Sequence, residues 1–229
     1  LAIYRRALPA NDWRLGVTLD NLAGIYRGQR RYDRAADSYR QALDILRQAY
    51  SERHPDVGTA LNNLALMNVE LGRLPEAQRY AGEALSIAEA TYGPSHIHVA
   101  YVLNNVGLVH RRQGRLPEAR AAFERAIAIV EREVGAEHGL LVHPLSELGA
   151  ILLVTGEARS AHATFRRAAA IELKRRARGG SLRAGDAEPQ RLDPFIGLVE
   201  AAWLLDASDG TGGAGGPADG DAVAGGIDV

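Results

Sequence analysis

Three histidines, His54, His96 and His138, recur at a fixed step of 42 residues, and His98 makes a His-x-His pair with His96. Imidazoles in series are metal ligands in principle, but a zinc-type ion holds its ligands about 2 Å away. Helices of neighbouring repeats pack about 10 Å apart, so histidines on separate units do not share an ion. They are read as loop and cap residues ahead of a helix, and neither a metal site nor a cofactor is expected. Other chemistry is equally thin. Ser38, Ser51, Ser86 and Ser160 fall in helical or loop contexts set by the repeat, and Glu131 and Glu133 lie on a solvated helix face. The glycine-rich C-terminal stretch lacks the lysine and following helix of a phosphate-binding loop. No catalytic residues are assigned.

The elements that carry these residues follow from the same period. Leu61-Asn62-Asn63-Leu64-Ala65-Leu66 returns as Leu103-Asn104-Asn105-Val106-Gly107-Leu108, and the step also recovers Leu19-Asp20-Asn21-Leu22-Ala23-Gly24 and Leu145-Ser146-Glu147-Leu148-Gly149-Ala150. Gly72, Gly114 and Gly156 align, as do Ala35, Ala77, Ala119 and Ala161, and Ala42, Ala84, Ala126 and Ala168. A fixed long period is the mark of a repeat array. Each unit reads as two helices. The first runs from about Thr59 to Leu71, where Leu61, Leu64, Ala65 and Asn68 share a face. Gly72 stops it. The second starts at Pro75 or Pro117, whose missing N–H is harmless in a first turn, and buries Ala77, Ala81, Ala84 and Leu85 before Tyr92-Gly93-Pro94 closes it.

These residues carry a family resemblance. The Leu-Asn-Asn-Leu-Ala block, Gly114-Arg115-Leu116-Pro117-Glu118-Ala119, Arg125-Ala126-Ile127-Ala128-Ile129 and His54-Pro55-Asp56-Val57 resemble the 42-residue tetratricopeptide repeats of kinesin light chains and of large bacterial signalling proteins. Asn68 stands where a tyrosine is usual, Ala81 replaces an aromatic, and the last copy loses its asparagine pair. The resemblance implies an all-α fold: a right-handed solenoid of antiparallel helix pairs. It also implies a function, protein binding by a concave groove lined by the first helices. Asp20, Asn62, Asn104 and Ser146, just after the leading leucine, would point into that groove, with Arg27, Val69, Arg111, Arg112 and Leu153 further along and Tyr101 and His143 one turn earlier. Asparagines at this place bind the backbone of an extended peptide in the family resembled, because an amide side chain both donates and accepts. The arginines would favour acidic groups. Asn63 and Asn105 are expected to hydrogen-bond between adjacent helices instead.

The segments expected are 1–18, the second half of a truncated repeat; four repeats at 19–60, 61–102, 103–144 and 145–174; a linker at 175–191; a C-terminal helix at 192–206; and a disordered tail at 207–229. Leu1-Ala2-Ile3-Tyr4 aligns with Leu43-Asp44-Ile45-Leu46, so the chain is expected to be a fragment of a longer array, able to self-associate through its truncated first helix. In the C-terminal helix, Asp193 is the expected N-cap and Pro194 the first residue, with Ile196, Leu198, Val199, Ala202 and Leu205 as an apolar face packed on the solenoid end. The segment from Asp193 to Trp203 resembles one that follows such repeats in bacterial proteins with a caspase-like CHAT peptidase domain. That suggests a second reading: a regulatory segment of a multidomain peptidase or signalling ATPase.

Composition narrows the classes. The chain has 229 residues and a formal charge of −1. Residues 1–185 hold 26 basic and 19 acidic side chains, against 1 and 9 over 186–229. The arginines are spread among Glu and Asp and form no stripe, which argues against nucleic acid. No apolar run is long enough for a membrane span. There is no cysteine, so redox chemistry gives no compartment, and the cytoplasm is assigned by default only. The tail from Asp206, rich in Gly, Ala and Asp, buries too little apolar surface to offset its ordering entropy. A protein or peptide partner is expected, its identity open.

Overall fold

A computed structural model describes residues 8–177 and 193–210, with side chains to Leu205. The expectations for residues 1–7, for the linker beyond 177 and for the tail beyond 210 lie outside the described residues; helix extends into the expected linker as far as Ala177 and into the expected tail as far as Gly210. Helices alternate along the chain: α1 Trp13–Gly28, α2 Tyr32–Ala49, α3 Pro55–Glu70, α4 Leu74–Tyr92, α5 Ile97–Arg112, α6 Leu116–Val134, α7 Val142–Val154, α8 Ala158–Ala177 and α9 Pro194–Gly210, with a 3₁₀ turn Gly139–Leu141 leading into α7. The odd-numbered helices from α1 to α7 each pair with the helix that follows, and the pairs stack in chain order. This is the all-α solenoid that the resemblance implied. None of the described helices is long and apolar enough to cross a membrane.

The first helices begin a turn earlier than the apolar pattern alone suggested. α3 starts at Pro55, not Thr59, because His54 caps it. The capping position recurs at the repeat step as Asp12, His54, His96 and His138, and each side chain accepts the N–H two residues on. Repeat boundaries drawn at the leading leucine therefore fall inside the first helices.

The stops are equally regular. Gly72 has φ +71° and takes a bond from its N–H to Val69 O, while Arg73 N–H reaches Asn68 O at 2.8 Å. This is the Schellman arrangement, which satisfies the last carbonyls and needs a left-handed residue. Gly114 and Gly156 repeat it, but in the first pair the left-handed place belongs to Arg30, with φ +57°.

Packing within a pair is set by complementary sizes. Phe123 on α6 covers Gly107 on α5, and Phe165 on α8 covers Gly149 on α7. At the equivalent places the second pair has Ala81 and Ala65, both fully buried with Val69, Ala77 and Val109. Packing between pairs adds a repeated ion pair on the second helices. Glu89 meets Arg125 at 2.6 Å and Glu131 meets Arg167 at 2.5 Å. The first junction carries the same pair with its signs exchanged, Arg47 to Glu83 at 2.6 Å.

The C-terminal helix begins as expected, with Asp193 Oδ1 accepting from Phe195 N–H at 2.9 Å. It rests mainly on α8 and more lightly on α7, as each first helix rests on the pair before it. Its inward face differs from the expected one: Gly197, Leu198 and Ala201 pack towards Phe165, Leu152 and Ala161, while Ile196 and Val199 are exposed. The Phe165 ring leaves no room beside Gly197 for a side chain, and so the helix turns that small residue inward.

Candidate functional site

The side chains after the leading leucines form a ladder between successive first helices. Asn63 Nδ2 donates to Asp20 Oδ1 at 3.0 Å, and Asn105 Nδ2 donates to Asn62 Oδ1 at 2.9 Å. Asn63 and Asn105 thus do what was expected of them. The next rung would run from residue 147 to Asn104, but residue 147 is a glutamate, and its carboxylate pairs with Arg111 at 2.8 Å. An ionised carboxylate has no proton to donate to an amide oxygen. Among the described residues Asn104 Oδ1 is accordingly buried without a hydrogen bond.

Between α3 and α5 lies a cavity of about 340 Å³. Asn62, Asn104, Thr59 and Tyr101 supply polar groups from the first helices, and Ala84, Ile87, Ala88 and Tyr92 of α4 add apolar wall. His98, Val130 and Leu140 also line it, and among the described residues no Asp, Glu, Lys or Arg does. Tyr101 is 55% exposed and Asn62 only 2%.

The nine residues singled out from the sequence fall into four groups, with Asn62 in two of them. Asn62, Tyr101 and Asn104 line the cavity. Asp20, Asn62 and Ser146 are engaged internally: Asp20 accepts from Asn63, Asn62 accepts from Asn105, and the Ser146 hydroxyl donates to Val142 O at 2.8 Å. Val69 is buried among Ala65, Ala77, Ala81 and Val109. Arg27 is half-buried and Arg112 exposed, while Arg111 faces Glu147.

Burial raises two of the carboxyls. Asp20 lies above the ordinary aspartate range because it is desolvated, with the Asn63 bond and Arg27 pulling the other way. Glu147, 1% exposed, is likewise raised by burial against the attraction of Arg111 and Arg112. Sequence reasoning missed Glu147 as a partner of Arg111, although its departure from the asparagines at positions 63 and 105 was the available signal. It also missed the α4 wall of the cavity, since nothing in the sequence marks Ala84 and Ile87 as facing a space and not a neighbour. Among the described residues no group of three His, Cys, Asp or Glu is placed to hold a metal.

Known proteins agree with this architecture. The chain resembles BtubC (BKLC) from P. vanneervenii in its crystal structure, with 31% identity, 73% of this chain covered and a TM-score of 0.64. It spans 65% of the length of that protein. Two crystal structures of a putative kinesin light chain with TPR-like repeats from Podosopora anserina share the fold at 18% and 19% identity, covering 88% and 86% of this chain and 99% and 97% of theirs, with TM-scores of 0.64 and 0.63. No curated protein matches in sequence. The tetratricopeptide repeat model matches three overlapping stretches, residues 14–90, 59–131 and 98–173. With matched repeats running through seven of the nine described helices and into α8, the chain belongs to the tetratricopeptide repeat family, whose repeats serve protein–protein interaction.

Proposed function

We propose that the chain is a protein-interaction module that holds an extended peptide or a partner's loop along the first helices, with one uncharged side chain of the ligand seated between α3 and α5. The observation that carries this reading is the cavity itself. It is largely apolar, carries a few polar groups from Asn62, Asn104, Thr59 and Tyr101, and lies where two successive repeats meet. Such a mixture of apolar wall and few polar groups suits a specific side chain. Acidic residues of the ligand would be drawn towards Arg112 and Arg27, against the pull that Glu147 and Asp20 already exert on them. An acidic group at Arg111 must displace Glu147 first, so preference for acid at that place is weaker than the arginine alone implies.

Selection of peptides from a random library, followed by titration against Tyr101→Ala and Asn104→Ala variants, tests the reading. Tyr101 is largely exposed and Asn104 Oδ1 bonds to none of the described residues, so both variants should fold. Selected peptides should bind each at least about fivefold more weakly, the equivalent of one lost contact of about 1 kcal/mol. Equal binding to wild type and both variants would place the ligand elsewhere. Asn62→Ala is a poorer test, because it strips Asn105 of its acceptor.

A further inference from the structure

Three of the four capping positions are imidazoles, and each is followed within two residues by one that lines the cavity. His54 Nδ1 accepts from Asp56 N–H, His96 Nδ1 from His98 N–H and His138 Nδ1 from Leu140 N–H, each at 3.2 Å. Pro55, Ile97, His98 and Leu140, the residues that follow these caps, all line the cavity. A ring nitrogen accepts only while it carries no proton, and histidine is the side chain that changes charge near neutrality. Asp12 in the first repeat is different: the bond from Arg14 holds its carboxyl at about 2, so that cap persists in mild acid.

We propose that the three histidine caps form an acid-sensitive latch on the groove: as Nδ1 of His54, His96 and His138 gains a proton, the first turns of α3, α5 and the 3₁₀ segment are released and the cavity loses its ligand. This rests on the groove reading above and adds its regulation. A ring that becomes cationic at a helix N-terminus also opposes the helix dipole.

The charges around the caps are mixed. His54 faces the Tyr50 ring, stacked at 3.7 Å, and the Asp56 carboxylate, 3.7 Å from Nδ1. His96 faces the rings of Tyr92 and His98, with Arg125 and Arg132 on the preceding carbonyls of Pro94 and Ser95. His138 is preceded by Glu137, which pairs with Lys174, and by Ala136, whose carbonyl accepts from Arg167, and Arg175 lies beside Gly139. With both signs present among the neighbouring side chains, the release turns first on the lost acceptor, to which the opposed helix dipole adds.

The test compares wild type with the triple variant His54→Asn, His96→Asn, His138→Asn, since asparagine is an N-cap acceptor that does not titrate. The probe is a fluorescent, histidine-free peptide selected at pH 7.5. Wild type should bind it about fivefold more weakly at pH 5.5, on the scale of one cap, while the variant changes less than about twofold. In wild type the backbone amide NMR signals of Asp56, His98 and Leu140 should move with their capping imidazoles. Amides that ignore the imidazoles, or the same affinity ratio in both proteins, would overturn the latch. A library that returns no binding peptide sinks the groove reading alone, and the amide titration then decides the latch.

Discussion

The ring of Phe123 lies against Gly107 so closely that a Cβ on residue 107 would meet its Cζ at 2.8 Å. Phe123 is fully buried, with Ala119 and Ile151 in the same cluster, and the ring has no easy retreat. A helix normally gains about 1 kcal/mol when alanine replaces glycine, but overpacking a core costs about 1–3 kcal/mol. Gly107→Ala should therefore lower stability in urea unfolding. Adding Phe123→Ala, which recreates the Ala65 and Ala81 solution of the second pair, should destabilise by less than the two single changes summed. Strict additivity would show that the ring does not clash.

Arg30 occupies a left-handed position that glycine holds in the other three repeats. The left-handed conformation costs a residue with a Cβ roughly 1 kcal/mol. Arg30→Gly should raise the thermal midpoint, with a gain of about 0.5–1 kcal/mol, partly offset by the freer unfolded chain. Gly114→Ala should do the reverse. A neutral or lower midpoint for Arg30→Gly would mean that the arginine side chain contributes more than its backbone costs.

Glu147→Asn should restore the interrupted ladder. An asparagine there stands where Asn63 and Asn105 stand and has an amide to offer Asn104 Oδ1, while Arg111 gains freedom to face a ligand. At neutral pH the variant should be as stable as wild type or up to about 1 kcal/mol more so. The sign with pH follows from the raised carboxyl of Glu147. A group that binds its proton more readily when folded favours the folded state below its unfolded value and loses that advantage as pH rises through its folded value. Wild type should therefore catch up with the variant on acidification below neutrality towards the ordinary glutamate range. A gap that widens in acid would contradict the assignment.

The ion pair between Glu89 and Arg125 is partly exposed, so it should be worth at most about 1 kcal/mol and fade with salt. Glu89→Arg should destabilise slightly at low salt and less at high salt. Exchanging both charges should recover part of the loss, and not all, because Arg125 also donates to Pro94 O at 2.9 Å.

Much of this was legible in the sequence because the period repeats the same local physics four times. Gly72, Gly114 and Gly156 announced the helix stops, and Asn63 and Asn105 were expected to bond between adjacent helices, though their partners Asp20 and Asn62 in the preceding repeat emerge only from the structure. Helix starts were legible in part: His54, His96 and His138 were read as cap residues, as they are, but the apolar pattern placed the start of the first helix near Thr59, a turn past Pro55, because that first turn carries little of the apolar period. The cavity was legible only in part. Asn62, Tyr101 and Asn104 came from the family pattern, but its α4 wall depends on how far Ala84 and Ile87 stand from α5, a distance that no local pattern encodes. Nor does a pattern show that Glu147 draws Arg111 from the groove, since that depends on a contact between repeats.

The exchanged signs at the first junction bear on how a chain of near-identical units finds its order. If the second pair looped out and the first stacked directly on the third, Arg47 would meet Arg125. If the second pair of one molecule invaded another and stacked on its counterpart, Glu89 would meet Glu83. Both mistakes are otherwise cheap, because the apolar surfaces of the repeats resemble one another, and multidomain and repeat proteins are prone to such misassembly. Repulsion on the scale of 1 kcal/mol biases the choice by about fivefold. The reversal of Arg47 and Glu83 thus acts as an address, telling the first repeat which neighbour is its own.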